Sequence, residues 1–178
     1  MKTDALVIGG SAAGLAAAIT ARRFHPQLKI TVVRREKIAL VPCGIPYIFG
    51  TLGAVEEDVI PDRVLEKHGL DLVIDEVTSI DREARLARMA GGGTIEYEKM
   101  VLATGSKPVV PPLEGVELDN VFAARKAPDY LRKLQQSIAS AHDVVIIGGG
   151  FIGLEFADQM SRLRHLNSVS VVEPVSYT

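Results

Sequence analysis

Tryptophan is absent from this 178-residue sequence, and aromatic residues as a whole make up only 5% of it. The chain is therefore poorly supplied with the aromatic platforms on which nucleic-acid bases stack. It also lacks a strong charge of either sign, because its formal net charge is −2 and its lysines and arginines are spread along the chain. A basic patch is the usual electrostatic footprint of nucleic-acid binding. These shortages exclude nucleic acid as the expected partner.

Cysteine is nearly absent as well, since Cys43 is its single copy. One cysteine excludes an internal disulfide framework and favours a reducing, cytoplasmic compartment. It also leaves too few soft ligands for a structural zinc site. The histidines stand singly, without metal-ligand spacing, so we expect no metal at His25, His68, His142 or His165.

Long apolar spans are missing too. Only two long stretches carry no charged residue, 5–21 and 38–55. Asp4 precedes the first, where a signal peptide carries positive charge. Prolines and glycines interrupt the second, which excludes a continuous spanning helix there. We therefore expect no membrane segment.

What the sequence does contain is a strand-like apolar run that turns on glycines into a helix. The run Ala5-Leu-Val-Ile leads into Gly9-Gly10-Ser11-Ala12-Ala13-Gly14, and residues 15–23 have helical character. Such a turn leaves backbone N–H groups unpaired at the helix start, where they and the helix dipole attract a pyrophosphate. In the pattern G-x-G-x-x-G, Ser11 replaces the second glycine.

The same pattern occurs a second time, now with all three glycines. The strand Asp143-Val-Val-Ile-Ile leads into Gly148-Gly149-Gly150-Phe151-Ile152-Gly153. The two copies also agree in length, because Arg34 follows Gly9 by the same 25 residues that separate Glu173 from the first glycine of the second turn. Two β-turn-α-β units in one register predict two dinucleotide sites and an α/β, Rossmann-like fold.

The end of the second predicted strand carries Arg34, Arg35 and Glu36. In many dinucleotide folds an acidic residue at this position binds the adenosine ribose. Three interpretations stay open. Glu36 takes this role through a register shift, or the arginines bind a phosphate or stack on the adenine, or the three residues form a solvated charge cluster.

The single cysteine lies in an unusual segment, Val41-Pro-Cys-Gly-Ile-Pro-Tyr-Ile-Phe-Gly50. Prolines stiffen this segment, and glycines let other groups approach its backbone. If a helix begins at Ile45, its dipole favours a thiolate at Cys43, which is then a nucleophile. The alternative is a buried structural cysteine, the commoner fate of a single cysteine. The residues alone favour neither interpretation.

The middle of the chain predicts a small antiparallel β insert. Its strands are expected at 70–74, 77–80, 85–89 and 94–97, with a glycine hairpin turn at 91–93. A further strand at 100–103 ends in Thr104-Gly105, which we expect to approach the same cofactor edge as the first strand. Beyond the proline-rich connector 108–112, apolar residues recur with the spacing of one helix face at Leu131, Leu134 and Ile138.

These motifs, in this order, resemble those of the flavin-dependent pyridine nucleotide–disulfide oxidoreductases. The resemblance rests on both glycine turns, on Pro42-Cys-Gly-Ile-Pro-Tyr47 between them, and on Leu102-Ala-Thr-Gly-Ser-Lys-Pro108. More narrowly, the chain is similar to the single-cysteine branch of coenzyme A disulfide reductases, NADH oxidases and persulfide reductases. The resemblance covers essentially all of the sequence.

The resemblance implies an FAD-binding domain over residues 1–115 and an incomplete NAD(P)H-binding domain over residues 116–178. NADH is expected rather than NADPH, because Glu173 accepts hydrogen bonds from a free ribose 2′-OH and repels a 2′-phosphate. The candidate FAD contacts are Gly9, Ser11, Ala12, Ala13, Gly14, Arg34, Arg35, Val77, Ala103, Thr104 and Gly105. The candidate NADH contacts are Gly148, Gly150, Ile152, Gly153 and Glu173.

By the same resemblance, the protein passes hydride from NAD(P)H through FAD to a redox-active Cys43, and on to a disulfide, a persulfide or dioxygen. Cys43 would alternate between a thiolate and either a sulfenic acid or a mixed disulfide. Coenzyme A is a candidate ligand, with its phosphate on Arg22 and Arg23, although Ala39-Leu-Val-Pro42 replaces the Ser-x-x-Asn of coenzyme A disulfide reductases. Intact family members are homodimers.

The sequence stops soon after Glu173, so we expect an incomplete second domain and little turnover by this chain alone. Two other function classes stay open. One is a non-catalytic FAD- or nucleotide-binding module or subunit. The other is a flavin reductase for a protein acceptor, in which Cys43 is structural. The residues do not specify the final electron acceptor.

Overall fold

The computed structural model describes residues 1–173. Two short 3₁₀ helices cover Ile45–Phe49 and Val55–Asp58. The α-helices are α1 (Ala12–Phe24), α2 (Arg63–Lys67), α3 (Pro128–Ala139) and α4 (Phe151–Ser161). The strands are β1 (Lys2–Ile8), β2 (Ile30–Arg34), β3 (Ala39–Leu40), β4 (Val59–Ile60), β5 (Asp71–Ile74), β6 (Val77–Asp81), β7 (Leu86–Met89), β8 (Thr94–Leu102), β9 (Asp143–Ile147) and β10 (Ser168–Val172).

The chain divides into two compact units. The first unit consists of Met1–Ala39 and Ile60–Ser106, and the second consists of Leu40–Val59 and the chain from Lys107 onward. The segment that carries Cys43 therefore belongs to the second unit. These two units do not coincide with the predicted FAD-binding domain (1–115) and NAD(P)H-binding domain (116–178). The predicted division by cofactor stays a prediction.

The first unit is built on one six-stranded sheet with the order β5-β2-β1-β8-β7-β6. The neighbours among β5, β2, β1 and β8 are parallel, whereas β7 and β6 continue the sheet in the antiparallel sense. Helix α1 connects β1 to β2, as a crossover between parallel strands requires. The α/β, Rossmann-like fold expected from the sequence is confirmed.

Strand β1 forms the centre of this unit because its side chains are buried on both faces of the sheet. Val7 packs on one face with Leu15 and Ala18 of α1. Leu6 and Ile8 pack on the other face with residues of β2, β7 and β8. Apolar side chains at successive positions are typical of a strand that is covered on both sides.

The predicted antiparallel insert is not a separate sheet. We expected strands at 94–97 and 100–103, but β8 is one continuous strand, which pairs antiparallel with β7 at its start and in parallel with β1 from Glu96 to Leu102. The charged residues in its middle do not interrupt it, because they lie at the surface in cross-strand ion pairs. Arg85 Nη1 lies 2.6 Å from Glu98 Oε2, and Lys2 Nζ lies 2.8 Å from Glu96 Oε1.

The second unit repeats the strand-turn-helix-strand order of the first in smaller form. Strands β9 and β10 are parallel, with Asp143 opposite Ser168 and Ile147 opposite Val172. Helix α4 connects them. In α3 the expected apolar face is confirmed, since Leu131, Leu134 and Ile138 are all buried.

Over the described range, no helix combines the length and the apolar character that crossing a bilayer requires. The same residues contain no group of three or more histidine, cysteine, aspartate or glutamate side chains arranged to hold a metal ion.

Candidate functional site

The first glycine turn lies where β1 ends between its two parallel neighbours. The N–H of Gly9 donates to Val33 O of β2 at 2.8 Å, and on the other side the N–H of Ala103 donates to Ile8 O at 2.8 Å. Gly9 has a φ of +116°, a conformation that only glycine adopts readily. The turn therefore opens at the carboxyl ends of parallel strands, where ligands of such sheets bind.

Close backbone contacts explain two of the glycines in this turn. A Cβ on Gly9 would overlap the carbonyl of Ala103, and a Cβ on Gly14 would overlap the carbonyl of Gly9. Helix α1 then starts with two exposed residues, Ala12 and Ala13, whose small side chains leave the helix start open. These residues fit a bound pyrophosphate, because a helix N-terminus presents unpaired N–H donors.

Arg34, at the end of β2, is buried with only 4% of its surface exposed. Its Nη1 lies 2.7 Å from Asp62 Oδ1. Its other donors reach the backbone, with Nε 2.9 Å from Glu36 O and Nη2 2.8 Å from Lys37 O. The aliphatic part of its side chain lies directly behind Gly10. The side chain of Arg34 therefore packs against the glycine turn at Gly10, and Arg34 is not a solvated charge.

The next two residues of this cluster lie at the surface. Arg35 Nη2 lies 2.7 Å from Glu36 Oε1, and Arg35 Nη1 lies 3.4 Å from Glu76 Oε1. Val77, the residue after Glu76, is like Arg35 a predicted FAD contact. Both lie in the first unit with Thr104 and Gly105, which are exposed at the end of β8.

The second glycine turn has the same local geometry as the first. Gly148 has a φ of +113°, and a Cβ on Gly153 would overlap the carbonyl of Gly148. Ile152 is exposed at the start of α4, and Gly150 precedes that helix. The carboxylate of Glu173 accepts a hydrogen bond from the N–H of Gly149. The structure thus places Glu173 at the second glycine turn.

Cys43 is exposed and lies in a tight turn. The N–H of Gly44 donates to Val41 O at 2.8 Å, and the 3₁₀ helix Ile45–Phe49 begins directly afterwards. Ile45 and Phe49 are buried, so this helix is anchored by its apolar side chains. The alternative of a buried structural cysteine does not describe the exposed thiol.

Asp58 lies beneath this turn and was not identified from the sequence. A Cβ on Gly44 would overlap its Oδ1. Its side chain is 4% exposed, and Oδ2 has no hydrogen-bond partner among the described residues. Burial raises the pKa of Asp58 from 3.8 to about 6. Sequence gives no signal of this, because Asp58 ends the acidic run Glu56-Glu57-Asp58, which is typical of a solvated surface.

Arg22, a candidate for a coenzyme A phosphate, directs its donors at backbone carbonyls instead. Nη1 lies 2.8 Å from Pro26 O and 2.6 Å from Leu28 O. Nε lies 3.1 Å from His68 O, and Nη2 lies 2.7 Å from Gly69 O. This side chain therefore joins the end of α1 to the turn after α2. Arg23, the other candidate, is exposed.

Comparison with known proteins connects these features. The sequence profile of the family described as pyridine nucleotide-disulphide oxidoreductase matches residues 3–177. An NAD(P)H coenzyme A polysulfide/persulfide reductase of Pyrococcus horikoshii is 36% identical over 165 residues, which cover 89% of this chain and 37% of that protein. An NADH oxidase of Methanocaldococcus jannaschii is 35% identical over 168 residues, with 86% and 36% covered.

A solved structure shows the same relationship. The NAD-dependent persulfide reductase from A. fulgidus superposes with a TM-score of 0.82 at 32% identity, over 96% of this chain and 34% of that one. The chain spans little more than a third of the length of the curated relatives named above.

Proteins of the matched family bind FAD and NAD(P)H. Both glycine turns of this chain fit such ligands, because each combines a left-handed glycine, a close backbone contact and a helix start open to a pyrophosphate. The profile match over residues 3–177 and the shared fold lead to one conclusion. The chain belongs to the pyridine nucleotide-disulphide oxidoreductase family.

Proposed function

We propose that this chain forms part of a flavin-dependent oxidoreductase that takes reducing equivalents from NAD(P)H and transfers them through Cys43 to a small sulfur-containing acceptor. The acceptor class is a disulfide or persulfide, with dioxygen as the further candidate. The names of the relatives support this range, since they include a coenzyme A polysulfide/persulfide reductase and an NADH oxidase.

The observation that carries the proposal is the exposed thiol of Cys43 in a chain with two dinucleotide turns. A structural cysteine is usually buried, whereas a redox-active cysteine must be reached by its substrate. The rigid turn at Gly44 and the anchored 3₁₀ helix hold this thiol in a fixed location. Preorganisation of this kind lowers the entropic cost of reaction.

The cofactor contacts follow from the two turns. FAD is assigned to the first unit, where the backbone of Gly9 to Gly14 would hold its pyrophosphate. The three residues that follow β8, Ala103 to Gly105, line the same edge of the sheet. Arg35 and Val77 are assigned to its adenosine end. NAD(P)H is assigned to the turn of Gly148–Gly153, with NADH preferred because of Glu173.

When bound, FAD supplies the two-electron chemistry between a pyridine nucleotide and sulfur. Cys43 acts as the nucleophile. Its thiolate attacks one sulfur of a disulfide acceptor, forms a mixed disulfide and releases the other half as a thiolate. Two electrons from one NAD(P)H, with protons from water, then return Cys43 to its thiol form and free the second half as a thiol. The net reaction converts one disulfide into two thiols.

Anaerobic reduction of the FAD-loaded protein with NADH tests this proposal. The protein is first given a disulfide adduct on Cys43 and then one equivalent of NADH, so that the two electrons reduce the adduct and leave a Cys43 thiolate with oxidised flavin. We expect a long-wavelength absorbance band from this pair, and we expect the Cys43→Ser variant to lack it. Mass spectrometry of the native protein should show FAD and, after incubation with a disulfide, an adduct on Cys43. A spectrum that Cys43→Ser leaves unchanged would assign the chain to flavin reduction for a protein acceptor, with Cys43 structural.

A further inference from the structure

We propose that Gln159 is a positioning residue for Cys43. Its buried side-chain amide fixes the segment that follows the cysteine to helix α4. This inference rests on the proposed function, because it concerns the location of the reactive thiol. All of the contacts involved lie within the second unit.

Gln159 is unusual among the polar residues of this unit because only 2% of its surface is exposed. Its Oε1 accepts a hydrogen bond from Thr51 Oγ1 at 2.7 Å, and its Nε2 donates to Asp158 Oδ2 at 2.9 Å. A Cβ on Gly50 would overlap the carbonyl of Gln159, so the two backbones are in close contact. A buried amide is costly unless it is paired, and here both ends are paired.

Thr51 connects this amide to the cysteine turn. The carbonyl of Tyr47 accepts hydrogen bonds from Thr51 N at 2.9 Å and from Leu52 N at 2.8 Å, which fixes Thr51 against the end of the 3₁₀ helix. The N–H of Tyr47 in turn donates to Gly44 O at 2.9 Å. A short, hydrogen-bonded run of chain therefore connects Gln159 with the residue next to Cys43.

Neighbouring contacts on α3 and α4 stabilise the same segment. The rings of Phe49 and Phe156 lie with their centroids 5.4 Å apart. From α3, Gln135 Nε2 donates to Gly53 O at 3.1 Å and to Ile48 O at 3.3 Å. Gln135 is only half-buried, whereas the amide of Gln159 is buried, and a buried polar group is costly to leave without its partner. For this reason we assign the positioning role to Gln159 and its hydrogen bond with Thr51.

The location of Gln159 on helix α4 connects the Thr51–Gln159 hydrogen bond to the second glycine turn. Helix α4 begins at the second glycine turn, and Gln159 lies two turns further along the same helix. One rigid element thus carries both the proposed NAD(P)H turn and the anchor of the cysteine segment. Loss of the anchor leaves the thiol present and exposed but no longer fixed.

The test uses two pairs of variants. Thr51→Val removes the hydroxyl while keeping the shape, and Thr51→Ser keeps the hydroxyl. Gln159→Leu removes the buried amide. Gln136→Leu is its matched control, because Gln136 is an exposed glutamine on α3. Two measurements are made on each protein. The first is the long-wavelength absorbance after NADH reduction, at equal FAD content. The second is the rate at which iodoacetamide alkylates Cys43 in the absence of added nucleotide, measured by mass spectrometry.

We expect Thr51→Val and Gln159→Leu to lower the absorbance band at least about twofold and to raise the alkylation rate about threefold or more, because loss of one hydrogen bond releases the segment that follows Cys43. Thr51→Ser and Gln136→Leu should retain the original values. The double variant should show no further change, because both substitutions break the same hydrogen bond.

The two proposals fail in different ways. If the unsubstituted protein shows no absorbance band, the proposed redox function fails, and the alkylation rates alone decide on the role of Gln159. If the band is present but all variants match the unsubstituted protein in both measurements, the positioning role is overturned and the redox function stands. If Thr51→Ser loses as much of the absorbance band as Thr51→Val does, the positioning role of Gln159 is also overturned.

Discussion

The carboxylate of Glu173, directly after β10, accepts a hydrogen bond from the backbone N–H of Gly149 in the second glycine turn. This hydrogen bond holds the acid against the turn. In the proposed NAD(P)H site, this carboxylate would accept hydrogen bonds from a ribose with a free 2′-OH and would repel a 2′-phosphate.

Replacement of Glu173 by alanine should therefore weaken the preference for NADH over NADPH. We expect the ratio of the two dissociation constants to change by about tenfold, the effect of one charge-assisted contact worth about 1.4 kcal/mol. The ratio serves as its own control, because loss of the contact with Gly149 affects both nucleotides equally. Titration calorimetry with each nucleotide measures it, and an unchanged ratio would contradict the assignment of the second turn.

Substitution of Gly9 by alanine should damage the first turn more than backbone strain alone explains. Gly92 provides the matched control, because its φ of +87° is also left-handed but a Cβ there meets no atom within 4 Å. Gly9→Ala adds an overlap with the Ala103 carbonyl to the same kind of strain. We expect it to cost about 1–3 kcal/mol more than Gly92→Ala in urea unfolding, and to reduce FAD retention. Equal losses in the two variants would show that the close contact is relieved.

Asp58 should make the stability of the protein depend on pH. Burial raises the pKa of Asp58 to about 6, so the folded state favours the protonated acid. This contribution is fully present below the ordinary pKa of 3.8 and is lost as the pH rises through about 6, where the fold must hold a buried carboxylate.

An asparagine at this position stays neutral throughout. Between pH 4 and pH 7, Asp58→Asn should gain up to about 3 kcal/mol in unfolding free energy relative to the unsubstituted protein. Glu57→Gln is the control, because Glu57 is the exposed neighbour. Urea unfolding at a series of pH values gives both curves, and parallel curves for Asp58→Asn and the unsubstituted protein would refute the role of burial.

Arg22 should contribute to the stability of the first unit through its bonds to four carbonyls. Methionine keeps the length of the side chain but has no donor. We expect Arg22→Met to lower the unfolding free energy by about 1–3 kcal/mol, because charge-assisted hydrogen bonds are lost. Arg23→Met, one residue further along α1 and exposed, should stay within about 0.5 kcal/mol. Thermal unfolding distinguishes the two, and similar losses would contradict the structural role.

Local features of this protein could be predicted from sequence. Each glycine turn depends on a strand, a turn and a helix that are contiguous in the chain, and both have the expected geometry at Gly9 and Gly148. The buried face of α3 followed in the same way from the spacing of its apolar residues.

Features that depend on distant residues could not be predicted. Arg34 is buried because Asp62, 28 residues away, supplies its countercharge. In the sequence Asp58 resembles a surface acid, and only the tertiary contact with Gly44 shows that it is buried. The continuity of β8 also depends on a distant partner, since β1 supplies the hydrogen bonds that carry the strand through Glu98 and Lys99. In each case the deciding contact is tertiary, and no local pattern encodes it.

Because β8 is continuous, the number of residues between the β7–β8 hairpin turn and Ala103 fixes where Ala103 lies relative to the first glycine turn. One residue inserted into the strand would advance Ala103, whose carbonyl lies under Gly9, by about 3.3 Å and reverse the faces of every side chain beyond it. One residue inserted at Gly91–Gly93 would be absorbed in the loop. Changes in length are therefore tolerable at the tip of the hairpin, whereas the strand behind it has a fixed number of residues.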